Sequence, residues 1–144
     1  MTIVGFSFTK MVIERKNFIK GKINIANNIS IKNVSETTLA LGKGKQPALK
    51  MIFEFVSKYN PNIGSINLTG EVLNLEDDKK SKEILKEWKK NKKLPGEIMT
   101  PILNHILNKC NIQSLILSKD INLPPPIPMP KISATDGKEK QYIG

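Results

Sequence analysis

Apolar and polar residues alternate with a period of two in the first half of the chain, as in half-buried β-strands. The first such segment begins with Val4, Phe6 and Phe8, and its phase changes at Met11 and Ile13. An extra residue in a strand changes which side chains face the core, so the change of phase predicts a β-bulge near Thr9–Lys10. Three further segments alternate in the same way, and they are marked by Ile23, Ile25, Ile29 and Ile31, by Met51, Phe53, Phe55 and Tyr59, and by Ile66, Leu68 and Val72. Four strands with no helical pattern between them predict a meander-like antiparallel sheet.

The second half of the chain has helical spacing. The acidic run 76–78 precedes a lysine-rich stretch, Lys79–Lys93, and negative charge is favourable at a helix N-terminus. We therefore predict a first helix there, with Asp78 or Ser81 as its N-cap. A second helix is predicted after Pro95, because apolar residues recur there at a spacing of four. These residues are Ile98, Ile102, Ile106 and Cys110.

Prolines dominate the segment that follows, Leu123-Pro-Pro-Pro-Ile-Pro-Met-Pro130, and exclude both a helix and a central strand from it. Residues 131–144 are polar and are expected to form a disordered tail. The predicted fold class is therefore α+β, a four-stranded antiparallel sheet with helices packed on one face. Residues 1–130 are expected to form it as a single domain.

The chain offers few residues for catalysis, since it contains one histidine, His105, and one cysteine, Cys110. Five residues along a helix correspond to a rotation of about 140°, so these two cannot form a nucleophile–base pair. We expect Cys110 to be a core residue and His105 to lie on the helix surface. The glycines of the 41–47 segment do not have phosphate-loop spacing and predict a turn. We therefore expect no enzyme activity, no metal and no cofactor.

The formal net charge is +10, and the segment Lys79–Lys93 contributes eight lysines against two glutamates. Two interpretations stay open. The lysines can form a solvated helix face, or they can bind a polyanion such as nucleic acid. No apolar stretch approaches the roughly 20 residues that cross a membrane, and the N-terminus does not resemble a signal peptide. We therefore expect a cytoplasmic protein.

Four segments resemble the SecB family of protein-export chaperones. They are the strands Lys50–Tyr59 and Ile66–Leu75, the helix opening Pro101–Asn104, and the crossover Leu123–Ile127. This resemblance implies a two-layer sandwich that assembles as a dimer or as a tetramer. It also implies ATP-independent binding of unfolded or non-native polypeptides.

Candidate binding residues follow from the proline-rich crossover, which must run near the surface although apolar residues interrupt its prolines. Some of these apolar side chains are expected to line a client-binding groove with Trp88 as its opposite wall; alternatively, all of them anchor the crossover to the core. The crossover residues are Ile121, Leu123, Ile127 and Met129. A separate apolar set is expected to form an oligomer interface, because one sheet face covers only part of the second helix. This set is Phe6, Phe8, Ile98, Met99, Ile102 and Ile106.

Overall fold

Four long strands precede two helices in the computed structural model, which describes residues 2–132 and 142–143. The α+β class predicted from the sequence is confirmed. The elements are β1 (Thr2–Arg15), β2 (Asn24–Leu41), β3 (Gly44–Asn60), β4 (Gly64–Leu75), α1 (Asp78–Asn91), α2 (Gly96–Asp120), β5 (Lys131–Ile132) and β6 (Tyr142–Ile143).

The four long strands form one antiparallel sheet in the order β1-β4-β3-β2. β2, β3 and β4 follow one another as hairpins, but β1 lies beside β4, so the predicted meander is wrong for β1. This arrangement is a Greek key, in which a long connection carries the chain from one sheet edge to the other. β1 gains apolar neighbours in this position, because Phe6 pairs with Val72 and Ile13 pairs with Ile66. The sheet therefore has two edges, β1 and β2.

Three shifts of register bend the edge strands. The shift between Phe8 and Lys10 in β1 confirms the predicted bulge, and a second shift in β1 lies between Ile3 and Gly5. β2 shifts between Ile31 and Asn33. The sequence carries the same signal at that point, since the apolar residues change phase between Ile31 and Val34. Each extra residue keeps the apolar side chains of the following segment on the helix side of the sheet.

Both helices contribute buried residues to the core that covers one face of the sheet. Ile84 and Trp88 come from α1, and Ile98, Ile102, Ile106 and Cys110 come from α2. The sheet contributes the predicted apolar faces of β3 and β4, including Phe53, Phe55, Ile66 and Leu68. The core thus uses the period-two strands and the four-residue helix stripe that the sequence indicates.

The N-cap of α1 is Asp77, so the prediction of Asp78 or Ser81 is wrong. The side chain of Asp77, rather than that of Asp78 or Ser81, accepts a hydrogen bond from the Lys80 backbone N–H at 2.7 Å. Asp78 is already helical and its carboxylate lies 3.2 Å from the Lys82 ammonium, whereas Ser81 is buried. The helix therefore begins at Asp78, directly after Asp77, whose backbone is extended as an N-cap requires.

The connecting segments agree with the turn predictions. Gly42 and Lys43 form the β2–β3 turn, and Gly42 has a φ of +62°, which favours glycine. Residues 123–130 contain neither helix nor strand, as predicted. β5 pairs with β6, while residues 133–141 and 144, on which most of the predicted disordered tail falls, lie outside the described residues.

Candidate functional site

The proline-rich crossover is attached to the sheet by two side chains. The Tyr59 hydroxyl donates to the Pro124 carbonyl at 2.6 Å, and the Asn27 amide donates to the Pro126 carbonyl at 2.8 Å. The Ser57 hydroxyl donates in turn to the Asn27 side-chain carbonyl, which orients the amide. Backbone in a proline-rich segment has few donors and no internal hydrogen bonds, so these side chains satisfy carbonyls that would otherwise lack protein partners.

The predicted client-binding residues have very different exposures. Leu123 is buried, Ile121 and Ile127 are half-buried, and Met129 is exposed. Trp88 is also buried, because α1 has a narrow apolar stripe and needs its indole to cover the sheet. Trp88 and Leu123 therefore have no free surface for a client in this conformation. Of the five predicted residues, Met129 is the most exposed, at 44%.

The predicted oligomer interface is largely used inside the single chain. Ile98, Ile102 and Ile106 are buried against the sheet, and Met99 is half-buried. Phe6 stacks on Phe53 with 5.2 Å between ring centroids, and Phe8 meets Phe53 edge-on at 6.1 Å. Since one sheet face covers more of this helical stripe than the sequence suggested, these residues leave little surface for a second protomer.

Other apolar side chains are exposed instead. Val4, Met11 and Val12 on the edge strand β1 are each 41–43% exposed, and on α2 Ile112 is 60% and Ile116 is 51% exposed. Both groups lie within segments whose secondary structure was predicted correctly, but none of these five residues was predicted to belong to a binding surface or an interface. The signal was present for α2, where Ile112 and Ile116 fall off the four-residue stripe that contains Ile106 and Cys110.

The two edge strands, β1 and β2, differ in the side chains that they expose to solvent. β1 carries the exposed apolar side chains just named, whereas among the described side chains of β2 no large apolar residue is exposed. An unpaired edge exposes a row of backbone donors and acceptors that another chain can pair with. β1 therefore combines unpaired backbone with accessible apolar surface, and this combination makes it the principal candidate site.

A hollow lies where α1 approaches the start of α2. Its volume is about 510 Å³, and its lining combines apolar Ile84, Leu94 and Ile98 with charged Lys80 and Glu97. A neighbouring hollow of about 300 Å³ shares Lys80, Glu97 and Ile98 and reaches Ile3 of β1. Together they form an open, partly apolar depression beside the first residues of the edge strand.

The lysine-rich helix α1 presents its cations to solvent. Of the lysines in Lys79–Lys93, only Lys80 is half-buried; the others are exposed. Lys92 lies with its ammonium 5.8 Å from the centre of the Trp88 ring, which gives the indole a cation–π contact at the surface of the core. The geometry is compatible with both interpretations of this helix, a solvated face and a polyanion contact.

His105 and Cys110 do not form a reactive pair. Cys110 is buried on the α2 stripe, as predicted, and burial raises the pKa of its thiol to about 12. His105 is half-buried, with its ring 5.7 Å from that of Phe6, so it lies at the helix surface as predicted but is partly covered. β1 reaches α2 at this point and covers the imidazole. Within residues 2–132 and 142–143, no three of the His, Cys, Asp and Glu side chains are grouped so as to hold a metal ion.

None of the helices in the described part of the chain has the length and apolar character needed to cross a membrane. Comparisons with protein-family models, with curated proteins and with solved structures find no match to this chain. The resemblance to the SecB family therefore depends on the residues quoted from the sequence, and the function must be argued from the exposed edge strand and the surfaces beside it.

Proposed function

We propose that this protein is a cytoplasmic, ATP-independent chaperone or protein-binding module that holds non-native polypeptides, with protein export as its use in the cell. The observation that carries the proposal is the edge strand β1, which is 14 residues long and has three exposed apolar side chains. The resemblance of four sequence segments to SecB supports the same class of function. The proposal involves no catalytic step and no cofactor.

The proposed mechanism is the addition of an extended client segment to β1. Main-chain hydrogen bonds along a sheet edge do not depend on client side chains, so they tolerate many sequences. Val4 would add apolar contact before the bulge at Thr9, and Met11 and Val12 would add it after the bulge. Non-native chains expose both apolar side chains and unpaired backbone, and β1 offers a complement to both.

A second copy of the chain is the proposed partner of α2. Ile112 and Ile116 are one turn apart and lie on the same side of the helix. Apolar side chains with this spacing suit packing against another helix. A dimer formed through α2 would leave β1 available for clients, and a tetramer would need a further contact between such dimers.

Substitution of Val12 by lysine tests the client site. An edge lysine resists pairing with an added strand, so Val12→Lys should abolish suppression of the aggregation of a heat-denatured client. Thr38→Lys is the matched control, because it introduces the same charge on the polar edge β2 at an exposed, β-branched residue. The melting temperatures of both variants should stay close to that of the unsubstituted protein, which calorimetry would verify. Full suppression by a folded Val12→Lys variant would contradict the proposed site.

Nucleic-acid binding through α1 is the alternative proposal, and the exposed lysines of this helix favour it. Neutralising phosphates releases counterions, so the affinity would fall steeply as salt increases. Replacing Lys82, Lys86, Lys89 and Lys93 with glutamine should then reduce the salt slope by about three to four units. No binding of an oligonucleotide by the unsubstituted protein at about 50 mM salt, where phosphate contacts are strong, would exclude this alternative.

A further inference from the structure

The loop between β1 and β2 is basic and carries an unusually exposed aromatic residue. We call the last residue of β1 together with the loop after it, residues 15–22, the basic loop; it contains Arg15, Lys16, Lys20 and Lys22 and no acidic residue. Phe18 at its centre is 78% exposed, the highest value among the large apolar side chains described, and Ile19 beside it is 41% exposed. Two adjacent apolar side chains in water are an energetic cost to the free protein that a partner can remove.

The base of the basic loop is fixed to the rest of the sheet. The backbone N–H groups of Lys16 and Asn17 donate to the Ile63 carbonyl at 2.7 and 3.3 Å. The Asn17 side-chain amide also donates to the Asn62 carbonyl at 2.7 Å. These bonds tie the loop to the β3–β4 turn and hold Phe18 outside the core. The two residues directly before the exposed Phe18 are therefore fixed to the sheet.

The charges around Phe18 indicate an anionic partner. The Arg15 guanidinium lies 5.5 Å from the centre of the Phe18 ring, so positive charge is placed directly beside the apolar group. Glu14 precedes the loop, and its carboxylate is 4.0 Å from the Lys16 ammonium. Even with this pair counted, the segment 14–22 retains a net positive charge.

A bilayer surface fits this combination better than a nucleic acid does. Arg15 covers one face of the Phe18 ring, and Ile19 has no ring on which a base could stack. An anionic membrane offers phosphate and carboxylate groups above an apolar layer, which matches cations that flank an aromatic and an aliphatic side chain. We propose that the basic loop docks on anionic bilayers, with Phe18 and Ile19 entering the boundary between headgroups and acyl chains. This proposal does not depend on client binding by β1.

Vesicle flotation tests the proposal with two sets of variants. The unsubstituted protein should float with phosphatidylcholine vesicles that contain phosphatidylserine and should stay in solution with phosphatidylcholine alone. Each cation near an anionic surface contributes a similar amount to the free energy of membrane binding, and these contributions add. Lys16→Gln with Lys20→Gln and Lys22→Gln should therefore reduce partitioning roughly 100-fold. Phe18→Ser with Ile19→Ser should reduce it at least about tenfold.

A matched triple variant in α1 separates the loop from the general charge of the protein. Lys82→Gln with Lys86→Gln and Lys89→Gln removes the same charge from another exposed surface. It should change partitioning less than threefold, because charges far from the bilayer are largely screened by salt and attract it only weakly. Equal losses from the loop and α1 variants would overturn the assignment to the basic loop.

A tryptophan at position 18 gives a local readout. In Phe18→Trp the new indole should shift its emission to the blue when anionic vesicles are added, whereas Trp88 is already buried and its emission should not change. A single-stranded oligonucleotide that shifts the emission while vesicles do not would overturn the proposal in favour of nucleic acid. Equal binding to vesicles with and without phosphatidylserine would also overturn it.

Discussion

Gly70 lies where β1, β4 and the aromatic core come closest together. A Cβ atom at this position would overlap the Ser7 carbonyl oxygen of β1 and would lie 2.6 Å from the Phe53 ring. Because the first obstacle is backbone, side-chain rearrangement cannot remove it. A single methyl group would therefore separate β1 from β4 and would also displace Phe53, which stacks with Phe6.

We expect Gly70→Ala to destabilise the protein by about 2–4 kcal/mol, since overpacking typically costs 1–3 kcal/mol and this clash includes backbone. Gly44→Ala is the matched control, because a Cβ there meets no atom within 4 Å. Urea unfolding of the two variants measures the difference. Equal stabilities would show that β1 does not pack on β4 as closely as described.

Two buried acids should make stability depend on alkaline pH. Burial raises the pKa of the Cys110 thiol from 9.0 to about 12 and the pKa of the Tyr59 hydroxyl from 10.0 to about 12. Above these ordinary values the unfolded chain releases protons that the folded chain retains, so stability falls as the pH rises from about 9 towards 12. The slope for each group cannot exceed about 1.4 kcal/mol per pH unit.

Comparison of the unsubstituted protein with Cys110→Ala isolates the thiol, because lysine titration affects both proteins equally. Between about pH 9 and pH 10, the free energy of unfolding measured with urea should fall less steeply with pH in the variant than in the unsubstituted protein. If the two proteins lost stability in parallel, the thiol would not be protected by burial.

Among the elements, the crossover depends on β2 and β3 for its position. Tyr59 and Asn27 each donate to one of its carbonyls, and both side chains belong to the end of the sheet where β2 begins and β3 ends. We expect Tyr59→Phe and Asn27→Ala to cost about 1–2 kcal/mol each, because each leaves a polar group unpaired.

The double variant distinguishes a fixed crossover from two independent contacts. If both hydrogen bonds hold one segment, removing the second bond should destabilise the protein less than removing the first. The destabilisation of the double variant should then be smaller than the sum of the two single effects by at least about 0.5 kcal/mol. Thermal unfolding of the four proteins provides the cycle. Strict additivity would mean that the two contacts act separately.

The sequence predicted those elements whose signals are local. The bulge at Thr9, the turn at Gly42 and the start of α2 after Pro95 each follow from neighbouring residues. The contact between Asn27 and Pro126 spans 99 residues, and nothing in the period-two pattern marks Asn27 as more than an interruption of its strand. The place of β1 beside β4 was missed for the same reason, since alternation gives the face of a strand but not its neighbour.

The candidate site was predictable only in part. Exposure depends on which apolar residues the sheet has already covered, so Ile98, Ile102 and Ile106 seemed available for a partner in the sequence and are buried in the fold. Ile112 and Ile116 fall off the buried stripe in the sequence itself, but their exposure follows only from the side of α2 that lies on the sheet. The exposure of Phe18 likewise depends on hydrogen bonds between the basic loop and the β3–β4 turn.

At the scale of the whole molecule, the edge β1 and the exposed side of α2 are separate apolar surfaces, and both are distinct from Phe18 and Ile19 of the basic loop. If α2 forms the proposed interface between copies, Ile112→Glu with Ile116→Glu should convert the oligomer to monomer at micromolar concentration. Two buried, unpaired carboxylates would cost far more than a small interface provides. Ile112→Leu with Ile116→Leu is the conservative control and should keep the oligomer.

Size-exclusion chromatography with light scattering gives the mass of each form. A monomeric unsubstituted protein at the same concentration would contradict the proposed α2 interface. A monomeric Glu variant that still suppresses client aggregation would show that the β1 edge acts without assembly.

The register shifts of β1 also limit how far another chain can extend along it. The two longer regular stretches of β1 are Gly5–Phe8, which lies between the shifts, and Lys10–Arg15, which follows the extra residue Thr9. A bulge twists the edge and interrupts the ladder, so an added strand can pair with one short stretch and loses register at the next. Such an edge is a poor template for fibril growth, which needs long, flat and continuous pairing. If β1 binds clients as proposed, the same interruption would keep each attachment short enough to dissociate without ATP.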